Sequence, residues 1–141
     1  MSEENTILEF DQDISTVEAP PPLPAGEYVG TIVSAVVKTS NNTGNKYVEV
    51  RFRVDPEQYP ADFDASNDPD GVDLYWRRLM YDTSQRGMYR MRKWCETIGC
   101  GMSSRIDPSE WIGLEGRLEV SNKPDQDGVD RAEIDRVHPV S

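Results

Sequence analysis

The chain has 141 residues, of which 26 are acidic and 15 basic, for a formal net charge of −11. One domain of that length buries about two thirds of the surface its unfolded chain exposes, so no disulfide or metal staple is needed. Apolar content of 36% and charged content of 29% fit a globular protein with some unfolded sequence, and no run reaches the roughly 18 apolar residues of a membrane span.

Residues 1–24 carry Glu3, Glu4, Glu9, Asp11, Asp13 and Glu18, no cation, and a closing run Pro20-Pro21-Pro22-Leu23-Pro24. Such sequence cannot bury enough apolar surface to offset its ordering entropy, which predicts a disordered acidic tail on a stiff proline spacer, with a folded domain over 25–141. Ile7, Leu8 and Phe10 form an apolar triplet inside the tail, either a partner-docking motif or an incidental one. The acidic start lacks the basic region of a secretory signal, so a cytoplasmic location is expected.

From Gly26 to Lys38 the sequence is β-branched, with Tyr28, Ile32 and Val36 alternating against Val29, Val33 and Val37. Both faces are apolar, and Gly30 permits a bend, as in a long first strand shared by two sheets of a small barrel. A polar turn over 39–45, flanked by Lys38 and Lys46, leads into a second strand, Tyr47 to Val54. There Val48, Val50, Phe52 and Val54 point inward and Tyr47, Glu49, Arg51 and Arg53 outward. Asp55 to Asp73 holds seven acids, no base and three prolines, which reads as a long surface loop. Its Ser66–Gly71 piece and Asp125–Gly128 resemble calcium loops, but both lack the bidentate glutamate that completes such a site, so no metal is expected.

The third strand runs from Leu74 to Tyr81, with Leu74, Trp76 and Met80 on one face and Tyr75, Arg77, Leu79 and Tyr81 on the other. Its register has two solutions. Either Trp76 is buried and Tyr75 and Arg77 face out beside Tyr47 and Arg51, or a bulge exposes Trp76 as a platform. Asp82, Thr83 and Ser84 offer capping chemistry for a helix whose inner face is Met88, Met91, Cys95 and Ile98 and which Gly99 ends. The spacing of Cys95 and Cys100 matches neither a redox CxxC nor a metal knuckle, so both are expected reduced and partly buried.

After a helical turn at Asp107–Trp111, a strand with Leu114, Gly116, Leu118 and Val120 inward meets a turn over 122–128, then a last strand from Arg131 to Val137 with Ala132 and Ile134 inward. The fold class is mainly β: five strands with one α-helix between strands 3 and 4, the order of the OB-fold, a five-stranded Greek-key barrel. A split-sheet sandwich with one helix is the competing architecture.

Charge is distributed unevenly. Between Leu74 and Arg105 seven cations (Arg77, Arg78, Arg86, Arg90, Arg92, Lys93 and Arg105) face two acids, among Tyr75, Trp76, Tyr81, Tyr89 and Trp94. Arginine interleaved with aromatics suits single-stranded nucleic acid, because guanidinium neutralises phosphate while rings stack on unpaired bases. The bland reading, aromatic core with a solvated basic face, stands beside it. The sole histidine, His138, has no partner pattern for catalysis and there is no phosphate-cradling glycine loop, so neither enzyme nor cofactor is indicated.

The stretches Leu23–Tyr28, Tyr47–Phe52, the tryptophan-bearing third strand, the cysteine-containing helix, Trp111–Gly116 and Glu133–Val137 together resemble small bacteriophage OB-fold proteins that bind single-stranded DNA. The resemblance covers most of the chain after Pro22. It implies sequence-tolerant binding of single-stranded DNA in phage replication or recombination, in the host cytoplasm. The site expected from the residues is Tyr47, Tyr75 and Trp76 for stacking, Arg51, Arg53 and Arg77 for phosphate, and Lys38, Lys46 and Lys123 in the flanking loops. The acidic segment lies in front rather than behind, as is frequent in such binders, so replication or recombination partners would be recruited through the N-terminus; self-association into a homo-oligomer is compatible with all of this. The alternative is an acidic OB-like module that binds a protein, as a DNA mimic or an inhibitor of a host enzyme.

Overall fold

The computed structural model describes residues 6–141, so Glu3 and Glu4 of the acidic segment lie outside the described residues. Five strands, β1 (Gly26–Thr39), β2 (Lys46–Val54), β3 (Val72–Met80), β4 (Glu115–Pro124) and β5 (Asp130–His138), form one antiparallel sheet in the order β3-β2-β1-β4-β5. The helix α1 (Gln85–Ile98) lies between β3 and β4, as expected. Gly30 pairs with Val54 of β2 on one side and Gly116 of β4 on the other, so β1 is shared and the sheet curls around it. A Cβ on Gly30 would stand 2.6 Å from Leu118 Cδ1 and 3.2 Å from Phe52 Cβ, so close packing, as much as bending, requires glycine here. The sheet stays open. Its end strands β3 and β5 face each other, and Arg78 Nη1 donates to the Asp135 carbonyl at 3.3 Å across the gap.

The core fills the concave side. Val48, Val50, Phe52 and Val54 are buried on β2 by strict alternation, with Ile32, Leu74, Leu118 and Ile134 from the other strands. Each such side chain contributes about 1.5–3 kcal/mol by leaving water. Trp94 of α1 packs edge-on to Phe52 at 6.3 Å and against Trp111 at 5.7 Å, which seats the helix over the open end of the curled sheet. Ser84 Oγ accepts from the Gly87 N–H at 3.1 Å to start α1, and Gly99, in the left-handed region at φ 76°, ends it.

Several expectations shift. The packed chain begins at Leu23, two residues before the expected boundary: its side chain is buried, and its carbonyl accepts from Asn122 Nδ2 at 2.8 Å. Before it, residues 14–16 form one 3-10 turn capped by Asp13, and Leu8 and Phe10 are exposed. The inner face of α1 is Gly87, Trp94, Cys95 and Ile98, with Met91 half-buried; Met88, expected inside, is exposed. The backbone of Asp82 occupies the space a side chain at 87 would need, which turns Gly87 inward and Met88 out. Val36 and Val37 are also exposed, because β1 there pairs with β2 alone, its pairing with β4 having ended at Thr31.

Candidate nucleic-acid interface

The outer face of β2 and β3 follows from the inner one. With Val48, Val50, Phe52 and Val54 turned to the core, Tyr47, Glu49, Arg51 and Arg53 must face out. On β3, Leu74 is buried, so Tyr75 and Arg77 face the same way as the β2 set, beside Asp73. Cross-strand pairing then sets three rows: Lys38, Tyr47 and Met80; Ser34, Arg51 and Tyr75; Thr31, Arg53 and Asp73.

The register of β3 combines the two sequence solutions. Val50 pairs with Trp76 but Val48 with Leu79, so Arg77 and Arg78 together oppose Glu49 in a bulge. Trp76, upstream of it, stays turned to the core and is only half-buried, while Tyr75 is 41% exposed. Downstream the faces swap, so Leu79 is buried and Met80 exposed, the reverse of the simple alternation. The bulge also sends Arg78 back over the Trp76 ring, 5.1 Å from its centroid. Trp76 Nε1 is buried with no hydrogen-bond partner among the described residues, so this ring is a wall of the β3–β5 gap rather than an exposed platform.

Two carboxylates organise the cations. Glu49 takes Arg77 at 2.7 Å and Lys38 at 2.9 Å; Asp73 takes Arg53 at 2.8 Å and Arg51 at 3.7 Å. The Arg77 hydrogen bond, helped by Lys38 and opposed by burial, holds the Glu49 carboxyl below its ordinary value. At 3.7 Å Arg51 is an ion pair but not hydrogen-bonded, and its buried Nε keeps an unused donor. Arg77 lies 4.5 Å over the Tyr75 ring, which fixes that ring's attitude on the surface. Four cations against two carboxylates leave this face net positive in a chain of −11.

Of the nine residues expected at the site, Lys38, Tyr47, Arg51, Arg53, Tyr75 and Arg77 share this face. Lys46 is exposed at the start of β2, where its carbonyl accepts from the Tyr81 N–H at 2.8 Å, and it has no ion pair among the described residues. Trp76 points inward. Lys123 stands apart on β4, bound to Asp135 at 3.0 Å and Glu133 at 3.7 Å of β5. Asp73, read as loop, is in fact a strand residue and half of the ion-pair framework; its position one residue before alternating Leu74 was the available signal. No protein-family model matches the chain, and no curated protein matches it.

Proposed function

We propose that this chain binds single-stranded DNA without sequence preference, as a phage OB-type protein of replication or recombination. The observation that carries the reading is the net-positive outer face of β2 and β3, where Lys38, Arg51, Arg53 and Arg77 surround Tyr47 and the exposed ring of Tyr75. Unpaired bases stack on the two tyrosines and phosphates take the guanidinium donors. The carboxylates do not forbid this. Glu49 and Asp73 are part-buried, but their partners Arg77 and Arg53 stay about half exposed. Surface ion pairs contribute about 0–1 kcal/mol, whereas each stacked base contributes about 1–3 kcal/mol, so phosphate can engage the free side of Arg77 and Arg53 as bases dock. A first strand shared by both halves of the sheet, with the helix between strands 3 and 4, supports reading the fold as the Greek-key OB barrel. Partner proteins of replication would then engage the acidic N-terminal segment.

A second reading is favoured by one observation: each cation of the face already has a carboxylate within 4 Å, as expected if the surface is self-neutralised and the acidic remainder binds a basic protein or host enzyme. Fluorescence anisotropy of a labelled oligothymidylate decides between them. Binding that weakens as salt rises, with a log–log slope of about −0.7 per phosphate contact, and that exceeds binding to duplex, is expected for the first reading. No binding at low salt overturns it in favour of the second.

A further inference from the structure

The charge on the outer face of β2 and β3 is directional. At the Arg53 end it meets the acidic loop over 55–71, where Asp70 adds to the carboxylate field on Arg53. At the other end, past Tyr47 and Met80, the chain carries a single acid, Asp82, between β3 and α1. Lys46 is exposed there, the chain leaves β3 through Tyr81, 66% exposed, and α1 begins four residues on. Its surface is the most basic in the molecule: Arg86, Arg90, Arg92 and Lys93 face one acid, Glu96, which is shared between Arg92 at 2.9 Å and Lys93 at 3.6 Å. Arg86 and Arg90 have no ion pair among the described residues. With Gly87, Trp94 and Ile98 buried, the helical period sets Arg86, Tyr89, Arg90 and Lys93 along one exposed flank. Tyr89 is 53% exposed, with Lys93 Nζ 5.4 Å from its ring centroid, the same cation-on-ring arrangement as Arg77 on Tyr75. The first turn of α1 packs against Asp82, whose carbonyl and side chain stand where a Cβ on Gly87 would be, so the helix starts beside the exit of β3. The Asp82 carboxyl is held below its ordinary value by its bonds to Ser84 first and by the charge of Arg90 in addition.

We infer that α1 carries a second stretch of the nucleic-acid path: a single strand leaves the β2–β3 face past Tyr47, Met80 and Tyr81 and continues along Arg86, Tyr89, Arg90 and Lys93. This rests on the reading that the β2–β3 face binds single strands, and extends it in length and direction. The strand segment from Arg53 to Tyr47 is about 20 Å long and the helix from Arg86 to Lys93 adds about 10 Å, so the path lengthens by about half. An acidic protein segment would suit the same charges, but the exposed tyrosine under a lysine is a base-stacking feature that such a segment does not use.

The test uses the full chain and labelled oligothymidylates of about six and about sixteen nucleotides, within and at the upper end of the usual site-size range of about 4–16. R86A/R90A/K93A changes only exposed side chains and is checked for an unaltered melting temperature. It should leave the short oligonucleotide's affinity unchanged while shallowing the long one's salt slope by about 2, three contacts at about 0.7 each. Tyr89→Ala should weaken the long oligonucleotide alone by about fivefold or more, the floor for one lost stack. Unchanged slope and affinity for the long oligonucleotide in both variants would overturn the helical path while leaving the β2–β3 reading in place, and would hand the helix face to an acidic protein ligand. Failure of the unaltered chain to bind either length would remove both.

Discussion

Glu49 sits where the ion-pair framework of the β2–β3 face and its proposed role in binding phosphate conflict. Its carboxylate fixes Arg77 and Lys38 in place, and it also repels the phosphates those cations would meet. Glu49→Gln keeps the shape, frees two cations and removes one negative charge, so oligothymidylate affinity should rise and the salt slope steepen; titrations at several salt concentrations check this. The same residue makes a pH prediction with a definite sign. Because Arg77 and then Lys38 depress its folded-state ionisation below the ordinary 4.5, its contribution to stability is fully present above that pH and is lost as pH falls below it. The melting-temperature gap between the native chain and Glu49→Gln should therefore be constant near neutrality and close below about pH 4.5. Cys100 behaves oppositely. Burial first, and the neighbouring Cys95 second, push its thiol up to about 12, so alkylation by iodoacetamide at pH 8 should be negligible in the folded protein and prompt in denaturant, as read by mass spectrometry.

The elements take their positions from close approaches that side-chain patterns do not announce. Alanine normally favours a helix over glycine by about 1 kcal/mol, which would make Gly87→Ala in the first turn of α1 stabilising. Here a methyl would overlap the Asp82 carbonyl and side chain, and overpacking costs about 1–3 kcal/mol, so destabilisation should win; the urea midpoint measures it. This contact also explains what could be read in advance and what could not. Strand β2 was legible because a buried face against a solvated one imposes a period of two, and Val48, Val50, Phe52 and Val54 keep it without interruption. The helix was legible in extent, through Ser84 and Gly99, but not in rotation, since Met88 and Trp94 compete for the inner side and only the contact between Gly87 and Asp82 decides it. In β3 the bulge at Arg77 and Arg78 inserts one residue, so Leu79 and Met80 exchange faces although their sequence alternates normally. Tyr75 faces outward as expected because it precedes that insertion, and Arg77 because it is the first residue of the bulge. Lys123, read as a loop residue, stands on β4 instead, and its partners on β5, Glu133 and Asp135, could not be read in advance because they lie ten or more residues away in sequence.

At the scale of the whole molecule, the acid excess and the basic face are kept apart rather than averaged. Six acids lie in residues 1–22, and none of Glu9, Asp11, Asp13 and Glu18 forms an ion pair with a cation among the described residues. If the chain binds nucleic acid as proposed, those charges would act on it through the field they add and by transient occupation of the cationic face, not through a fixed contact. Deleting residues 1–22 takes the formal net charge from −11 to −5, because six carboxylates and no cation are lost, and it leaves Leu23 to fill its place in the core. Truncation should accordingly tighten oligothymidylate binding at low ionic strength. The gain should fade toward 1 M salt, where the screening length falls to about 3 Å. That dependence separates the mechanisms: a tail competing for the face loses its effect with screening, a tail that buttressed the fold would lower the melting temperature at every salt concentration, and a tail serving only to recruit proteins would leave DNA affinity where it was.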